Sequence, residues 1–337
     1  TCEELAERTG VKKQAISQFE NGKNNPEYDT VKNISDALGF PVEFFFEKPS
    51  RVLVGNTFFR AQFTSSKRDL NSQQIKARYV AHLHYTLSRY VDFQQLNLPE
   101  FEEDITPRDA AKRLRDFWGL DNEPIADIIN LMERNGIIMS EFATDSAKID
   151  AFSQYVEINN VSTWCVILGT EKKSYVRRQF SCAHELGHIL LHEKYAEFDS
   201  VEKEEFRKRE DEANEFASEF LLPTNSFSMD LRIQPNRLNR YVDLKRKWKV
   251  SISAMVMRAY ALEAINGNQY QYLMRQISTN GWRASEPLDD FLPLKHPKAL
   301  KQAVNLILLN NVLDGTQLLA QVKKDGVSLP KKVIDEV

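Results

Sequence analysis

The 337-residue chain has only three cysteines, Cys2, Cys165 and Cys182, an odd number with no repeated spacing. A disulfide framework is therefore not expected, and a reducing, cytoplasmic setting is. Long apolar runs are also missing. The longest is Trp164–Leu168, against the roughly 20 residues that a membrane-spanning helix needs, so no membrane partner is expected. No signal-peptide pattern marks the first residues. With 12 Gly, 12 Pro and no internal repeat, collagen-like and low-complexity readings fall away. Nor does one sign of charge dominate: Lys+Arg is 45 and Asp+Glu 48, a net charge of −3. The first fifty residues hold six basic and nine acidic side chains and so carry that whole deficit. A charge count alone makes this segment the least suited to nucleic acid.

What remains is an ordinary globular composition, 42% hydrophobic and 28% charged, with enough length for two or three cores. Residues 1–50 read as short helices: Glu3–Arg8, Lys12–Phe19, Tyr28–Leu38 and a short one after Pro41, with Gly stops and Pro starts at their ends. Val11, Ile16, Val31, Ile34 and Leu38 would fill a small core. Residues 51–105 read as a connector with a short strand near Val52–Val54 and one helix over 71–94. That helix is expected from Ile75, Tyr79, Leu83, Leu87 and Val91 at a spacing of four. Thr106-Pro107-Arg108-Asp109 is a helix start, and a further helix spans Pro124–Arg134. Strands are expected at Ile137–Phe142, Ile149–Val156 and Thr163–Leu168, then helices at Ser174–His192 and Glu205–Leu222. Residues 236–337 read as helical. The fold class is α+β, mostly helical, with a core over 106–235.

His184-Glu185-Leu186-Gly187-His188 is the sharpest chemical signal. Positions i and i+4 share a helical face, so both imidazoles can reach one metal ion. Zn²⁺ lowers the pKa of a bound water toward about 7, and Glu185 stands where it could take the proton. Gly187 costs roughly 1 kcal/mol of helix propensity, which implies that another segment packs closely there. A third ligand is needed. His192 continues the spacing, but eight residues of helix rise about 12 Å, too far for one ion, so it reads as a helix-end histidine near the negative dipole. Glu210 is a better candidate, with Asn214 four residues on, able to accept from the far nitrogen of a liganding His. On spacing alone Glu212 is also open, as is neither, since 202–212 is a charged run. Cys182 and Cys165 read as small core residues.

Two resemblances add to this. Glu4-Leu5-Ala6, Thr9-Gly10-Val11, Gln14 through Gly22, Asn25-Pro26, Ile34 and Ala37-Leu38-Gly39 resemble the helix-turn-helix of Cro/C1-type (XRE) repressors. Arg177 through Phe180, Ala183 through His192 and Glu210 through Pro223 resemble the ImmA/IrrE metallopeptidases, and Leu244–Trp282 resembles the helical part of their long members. The second resemblance implies His184, His188 and Glu210 as zinc ligands and Glu185 as general base. It also implies a gluzincin-like core with a small sheet, in which substrate adds as a strand to a sheet edge. Thr163–Leu168 is the expected edge.

The first resemblance implies that Lys12–Phe19 enters the major groove of double-stranded DNA. Gln14 and Gln18 would read adenine edges, Lys12 and Lys13 phosphates or guanine, and Ser17 a phosphate, with the Lys23 loop over the backbone. The acids Glu3, Glu4 and Glu7 fall on the preceding helix, away from the groove. Such domains usually begin with a further helix, which this sequence as it stands lacks, and they usually pair, so a homodimer is in keeping. Leu244–Tyr260 repeats the helix-turn-helix spacing with Lys245, Arg246, Lys247, Lys249 and Arg258, and packing is the expected use. The combined expectation is a DNA-binding regulator with a zinc endopeptidase whose protein substrate is a repressor or other regulator. The alternative is a transcription factor whose peptidase-like domain senses a ligand or partner without proteolysis. The intact Glu185 weighs against it.

Overall fold

A computed structural model describes residues 1–46, 53–59, 67–102, 104–142, 150–158, 161–171, 174–192 and 203–325. The N-terminal unit holds α1 (Cys2–Thr9), α2 (Lys13–Glu20) and α3 (Tyr28–Leu38), followed by a 3-10 turn at Val42–Phe46. Thr1 and Glu4 form a capping box that satisfies free N–H groups at the start of α1. Ile16, Val31 and Ile34 make its buried centre. Val11 is only half-buried and Leu38 is exposed, because α3 instead turns Ser35 inward, whose hydroxyl donates to the Phe40 carbonyl at 2.6 Å.

The larger unit is built on a four-stranded sheet. Its strands are β1 (Leu53–Phe59), β2 (Ile138–Phe142), β3 (Ala151–Ile158) and β4 (Val161–Gly169), in the spatial order β1-β3-β4-β2. β3 and β4 form an antiparallel hairpin, β2 runs parallel to β4, and β1 runs antiparallel to β3. Both faces are covered. Met139, Ala151, Tyr155, Trp164, Val166 and Leu168 point into the core shared with α7 (Tyr175–Leu191) and α8 (Lys203–Leu221). The alternate residues Ile138, Phe142, Phe152, Val156, Cys165 and Ile167 point into a second core. That core is closed by α4 (Lys67–Leu87), α13 (Ala299–Leu309) and α14 (Gly315–Lys324).

This layering corrects one expectation. β4, which contains Thr163–Leu168, lies between β3 and β2 and is not an edge. Its unbroken apolar run is the mark of a strand buried on both faces. The stretch read as a connector also contributes more than a link, since β1 joins the sheet and α4 packs on it. Along α4 the buried positions include Gln73, Ala77, Val80, Ala81, Leu83 and Leu87, while Ile75 is 45% exposed and Val91 lies beyond the helix end. Of the expected stripe, Leu83 and Leu87 are buried and Tyr79 and Val91 pack partly buried on the second core; only Ile75 faces away, and small alanines fill much of the rest.

Around the sheet, α5 (Pro107–Phe117) starts at the Thr106 cap, whose hydroxyl accepts from the Asp109 N–H at 3.2 Å. α6 (Ile128–Arg134) starts at Asp127 rather than at Pro124. Gly136, at φ 79, enters β2 where an added Cβ would lie 2.3 Å from the Gln95 carbonyl oxygen, so only glycine fits. α9 (Thr224–Asp230), α10 (Leu238–Trp248), α11 (Ile252–Ala261) and α12 (Gly267–Thr279) complete the first core.

Two of the basic residues of the second helix-turn-helix-like stretch, Lys245 and Arg258, are used internally, and Lys247 pairs at the surface. Lys245, fully buried, donates to Glu286 at 2.9 Å and Asp289 at 2.6 Å. Arg258 pairs with Glu219 and donates to the Leu222 carbonyl, and Lys247 reaches Asp230 at 2.7 Å. Packing is therefore what these helices do.

Candidate functional site

α7 lies between the sheet and α8 and is buried on nearly every side. Its rotation is fixed near its start. Arg178 donates to Glu141 on β2 at 2.8 Å and to the carbonyls of Lys295 and Gly169. The Gln179 amide donates to the carbonyls of Ile125 and Lys249, each at 3.1 Å. So held, α7 turns His184 and His188 toward α8. The approach is close: a Cβ on Gly187 would lie 3.1 Å from the Ala213 Cα and 3.2 Å from Phe216. The glycine and the small Ala213 thus bring the two helices together, the close packing that Gly187 led us to expect.

The two helices assemble a three-residue cluster of His184, His188 and Glu210. The Nε2 atoms of the histidines are 3.0 Å apart. Glu210 Oε2 is 3.4 Å from His184 Nε2, and Glu210 Oε1 is 3.2 Å from His188 Nε2. A tetrahedral zinc with bonds of about 2.0–2.1 Å separates its ligand atoms by about 3.3 Å. The spacing therefore matches the edges of such a site.

The far nitrogens strengthen the match. His184 Nδ1 lies 3.1 Å from the Asn214 side-chain oxygen, which can only accept, so the imidazole carries its proton there. His188 Nδ1 is 3.0 Å from His192 Nδ1, and His192 Nε2 is 3.1 Å from Glu212 Oε2. With Glu212 accepting from His192, His192 Nδ1 accepts from His188. Both Nε2 lone pairs then face the same point, a mutual repulsion that a cation between them relieves. Glu210 Oε1 is buried with no hydrogen-bond donor aligned on it among the described residues.

Protonation follows the same logic. Burial pushes the His188 imidazole down to about 3, so it is neutral at physiological pH, the form that binds metal. Burial raises the Glu210 carboxyl, and it is positive charge or a proton at the two imidazole Nε2 atoms beside it, the place a cation would take, that holds it below the ordinary carboxylate range. The donor set therefore fits a divalent cation of the zinc class.

Glu185 is 1% exposed and faces β3, where the Ser153 hydroxyl donates to its Oε2 at 2.7 Å. Of the two acids left open by spacing, Glu210 enters the cluster and Glu212 stands behind it on His192. His192 sits at the C-terminal cap of α7, outside the three-residue cluster but bonded to one member. Ser153 and Glu212 carry roles that no motif announced. Burial raises the thiols of Cys165 and Cys182, both core residues.

In the N-terminal unit, Lys12, Lys13, Gln14, Gln18 and Lys23 are exposed and Ser17 is half-buried. Gln14, Ser17 and Gln18 share one stripe of α2, opposite the buried Ile16. Lys13 pairs with Glu3 on α1 at 2.9 Å, and the Gln18 side-chain oxygen accepts from Asn24 at 2.8 Å. Lys12 occupies the N-cap position of α2 and makes no capping bond with its side chain.

Comparison with known families places both units. Residues 133–260 match the Peptidase_M78 family, described as the IrrE N-terminal-like domain. Residues 2–45 match the HTH_3 helix-turn-helix family. No curated protein matches the chain. Strands β2 to β4 and the two site helices fall within the first match, and α1 to α3 fall within the second. The chain is therefore a fusion of an XRE-type helix-turn-helix domain at its N-terminus with an IrrE-like Peptidase_M78 domain over residues 133–260.

Proposed function

We propose that the protein is a cytoplasmic, DNA-binding regulator whose Peptidase_M78 domain is a zinc-dependent endopeptidase acting on a repressor or other regulatory protein. The observation that carries this reading is the cluster of His184, His188 and Glu210 with a buried acid, Glu185, beside it. A domain that only sensed a partner would have no need of that acid. In this reading His184 Nε2, His188 Nε2 and a Glu210 oxygen hold the zinc. When bound, zinc supplies Lewis acidity at the scissile carbonyl and acidifies water.

The remaining work falls to the protein. Asn214 and the His192–Glu212 pair keep the two ligand imidazoles in the tautomer that presents Nε2. Glu185 takes a proton from the attacking water and returns it to the departing amine nitrogen. Ser153 donates to one Glu185 oxygen, which orients the carboxylate for that transfer. In the N-terminal domain, α2 lies in the major groove of operator DNA, with Gln14 and Gln18 toward base edges and Lys12, Lys13, Ser17 and Lys23 toward the backbone. A homodimer would place two such helices on adjacent half-sites.

Metal analysis beside a cleavage assay on co-encoded regulators tests the peptidase. Glu185→Gln is expected to keep stoichiometric zinc and lose cleavage by a factor of about 10²–10⁴. Glu210→Ala is expected to lose the metal and the activity together. Full activity in Glu185→Gln would overturn the mechanism, and full zinc in Glu210→Ala would overturn the ligand set.

A further inference from the structure

The antiparallel strand nearest the cluster is β3, since Ser153 on that strand touches Glu185. β4 covers one side of β3. The other side is where an extended peptide could pair and bring its backbone to the site. That side is taken. β1, from the segment between the helix-turn-helix and the peptidase domain, lies along it in antiparallel register. Leu53 faces Glu157, Val54 faces Val156, and Phe58 faces Ser153 itself, with a register shift between Val54 and Thr57. A peptide added outside β1 would stand one strand spacing, about 4.8 Å, farther from Glu185.

We propose that residues 53–59 occupy the substrate-strand position of the peptidase in cis, so that an extended protein segment must displace β1 before it can reach Glu185. This rests on the peptidase reading above. The competitor is an extended segment with apolar residues at both ends, the character of Leu53-Val54 and Phe58-Phe59. The irregular step at Gly55-Asn56 interrupts the β1–β3 ladder, which weakens the hold of the inner strand relative to a regular one. Because β1 follows the DNA-binding domain in the chain, a pull on that linker and access to the site become one event.

The test uses the full chain loaded with zinc, in three forms. One carries Thr57→Pro, which removes a donor and stiffens the strand. A second replaces residues 53–59 with Gly and Ser, in case the proline is tolerated at the bulge. The third joins β1 to β3 by a disulfide between L53C and E157C. In a Glu185→Gln background, a fluorescent peptide with the sequence of residues 51–61 reports strand binding by anisotropy. With Glu185 intact, the same forms report cleavage of a regulator substrate.

The loosened forms are expected to bind the peptide at least tenfold more tightly than the parent and to cleave faster. The oxidised disulfide form should do neither until reduced. Equal peptide binding in all forms would overturn the strand displacement, whatever the cleavage. Tighter peptide binding in the loosened forms with no cleavage by any form would uphold the displacement and overturn the peptidase reading.

Discussion

Gly187 shows how one missing atom organises the site. A Cβ there would press on the Ala213 backbone and Phe216 at 3.1–3.2 Å. Gly187→Ala gains roughly 1 kcal/mol of helix propensity, but overpacking a rigid core costs about 1–3 kcal/mol. Since the atoms it would meet include the α8 backbone, the second effect wins. The variant is expected to unfold several degrees lower in a thermal melt and to bind zinc more weakly, because α8 carries Glu210. The His184–His188 pair, the small residues and the Glu210–Asn214 spacing were all legible in sequence, since each is local to one helix. Ser153 and Glu212 were not. Their contacts join positions 32 and 20 residues from their partners, and a lone serine or one acid among many carries no periodic signal.

Buried pairs hold the elements around the site. Glu219 on α8 and Arg258 on α11 are each about 1% exposed. Glu219 also accepts from the Thr224 N–H at 3.0 Å and the Thr224 hydroxyl at 2.7 Å, joining the start of α9 to the same point. Removing one member strands a charge, so Glu219→Ala is expected to cost about 3–5 kcal/mol, measured by urea unfolding. Burial works to raise the Glu219 carboxyl, but Thr224 and Arg258 outweigh it and hold it below its ordinary value of 4.5. A depressed carboxylate stabilises the fold above the unfolded value, and that stabilisation is lost as pH falls below about 4.5 toward the folded value.

The elements themselves were read well where their signals are local. The expected α3 agrees at both ends, and α7 and α8 agree within two residues. Strand order is different in kind. Which strand borders which is decided by distant segments, and β1 joins β3 across nearly a hundred residues of chain. The unbroken run in β4 held the clue to its central place, since only a strand covered on both faces is apolar throughout.

At the scale of the molecule, the near-balanced charge and the helix-turn-helix are compatible. Glu3, Glu4 and Glu7 lie on α1, while Lys12 and Lys23 flank α2. The balance limits non-specific attraction to phosphates and leaves recognition to a few directed contacts. The second sheet face depends on a long return of the chain. α13 and α14 pack against α4 and β2, and Glu133 accepts from the N–H groups of Lys298 and Ala299, each at 2.9 Å. Removing residues 296–337 should uncover Ile138, Phe142, Phe152 and Ile167. The shortened protein is expected to melt lower and to bind the dye ANS, which the full chain should not.

That return also sets a clock. The Thr86 hydroxyl donates to Asp325, 239 residues away. At synthesis rates of about 5–20 residues per second, α4 waits about 12–50 s for its last partner to emerge. The helix-turn-helix can fold in that time from local contacts alone. The sheet cannot close its second face until translation is nearly done. For about 12–50 s each nascent chain thus presents a folded helix-turn-helix domain tethered to an uncovered apolar surface, an interval in which holding chaperones have something to grip.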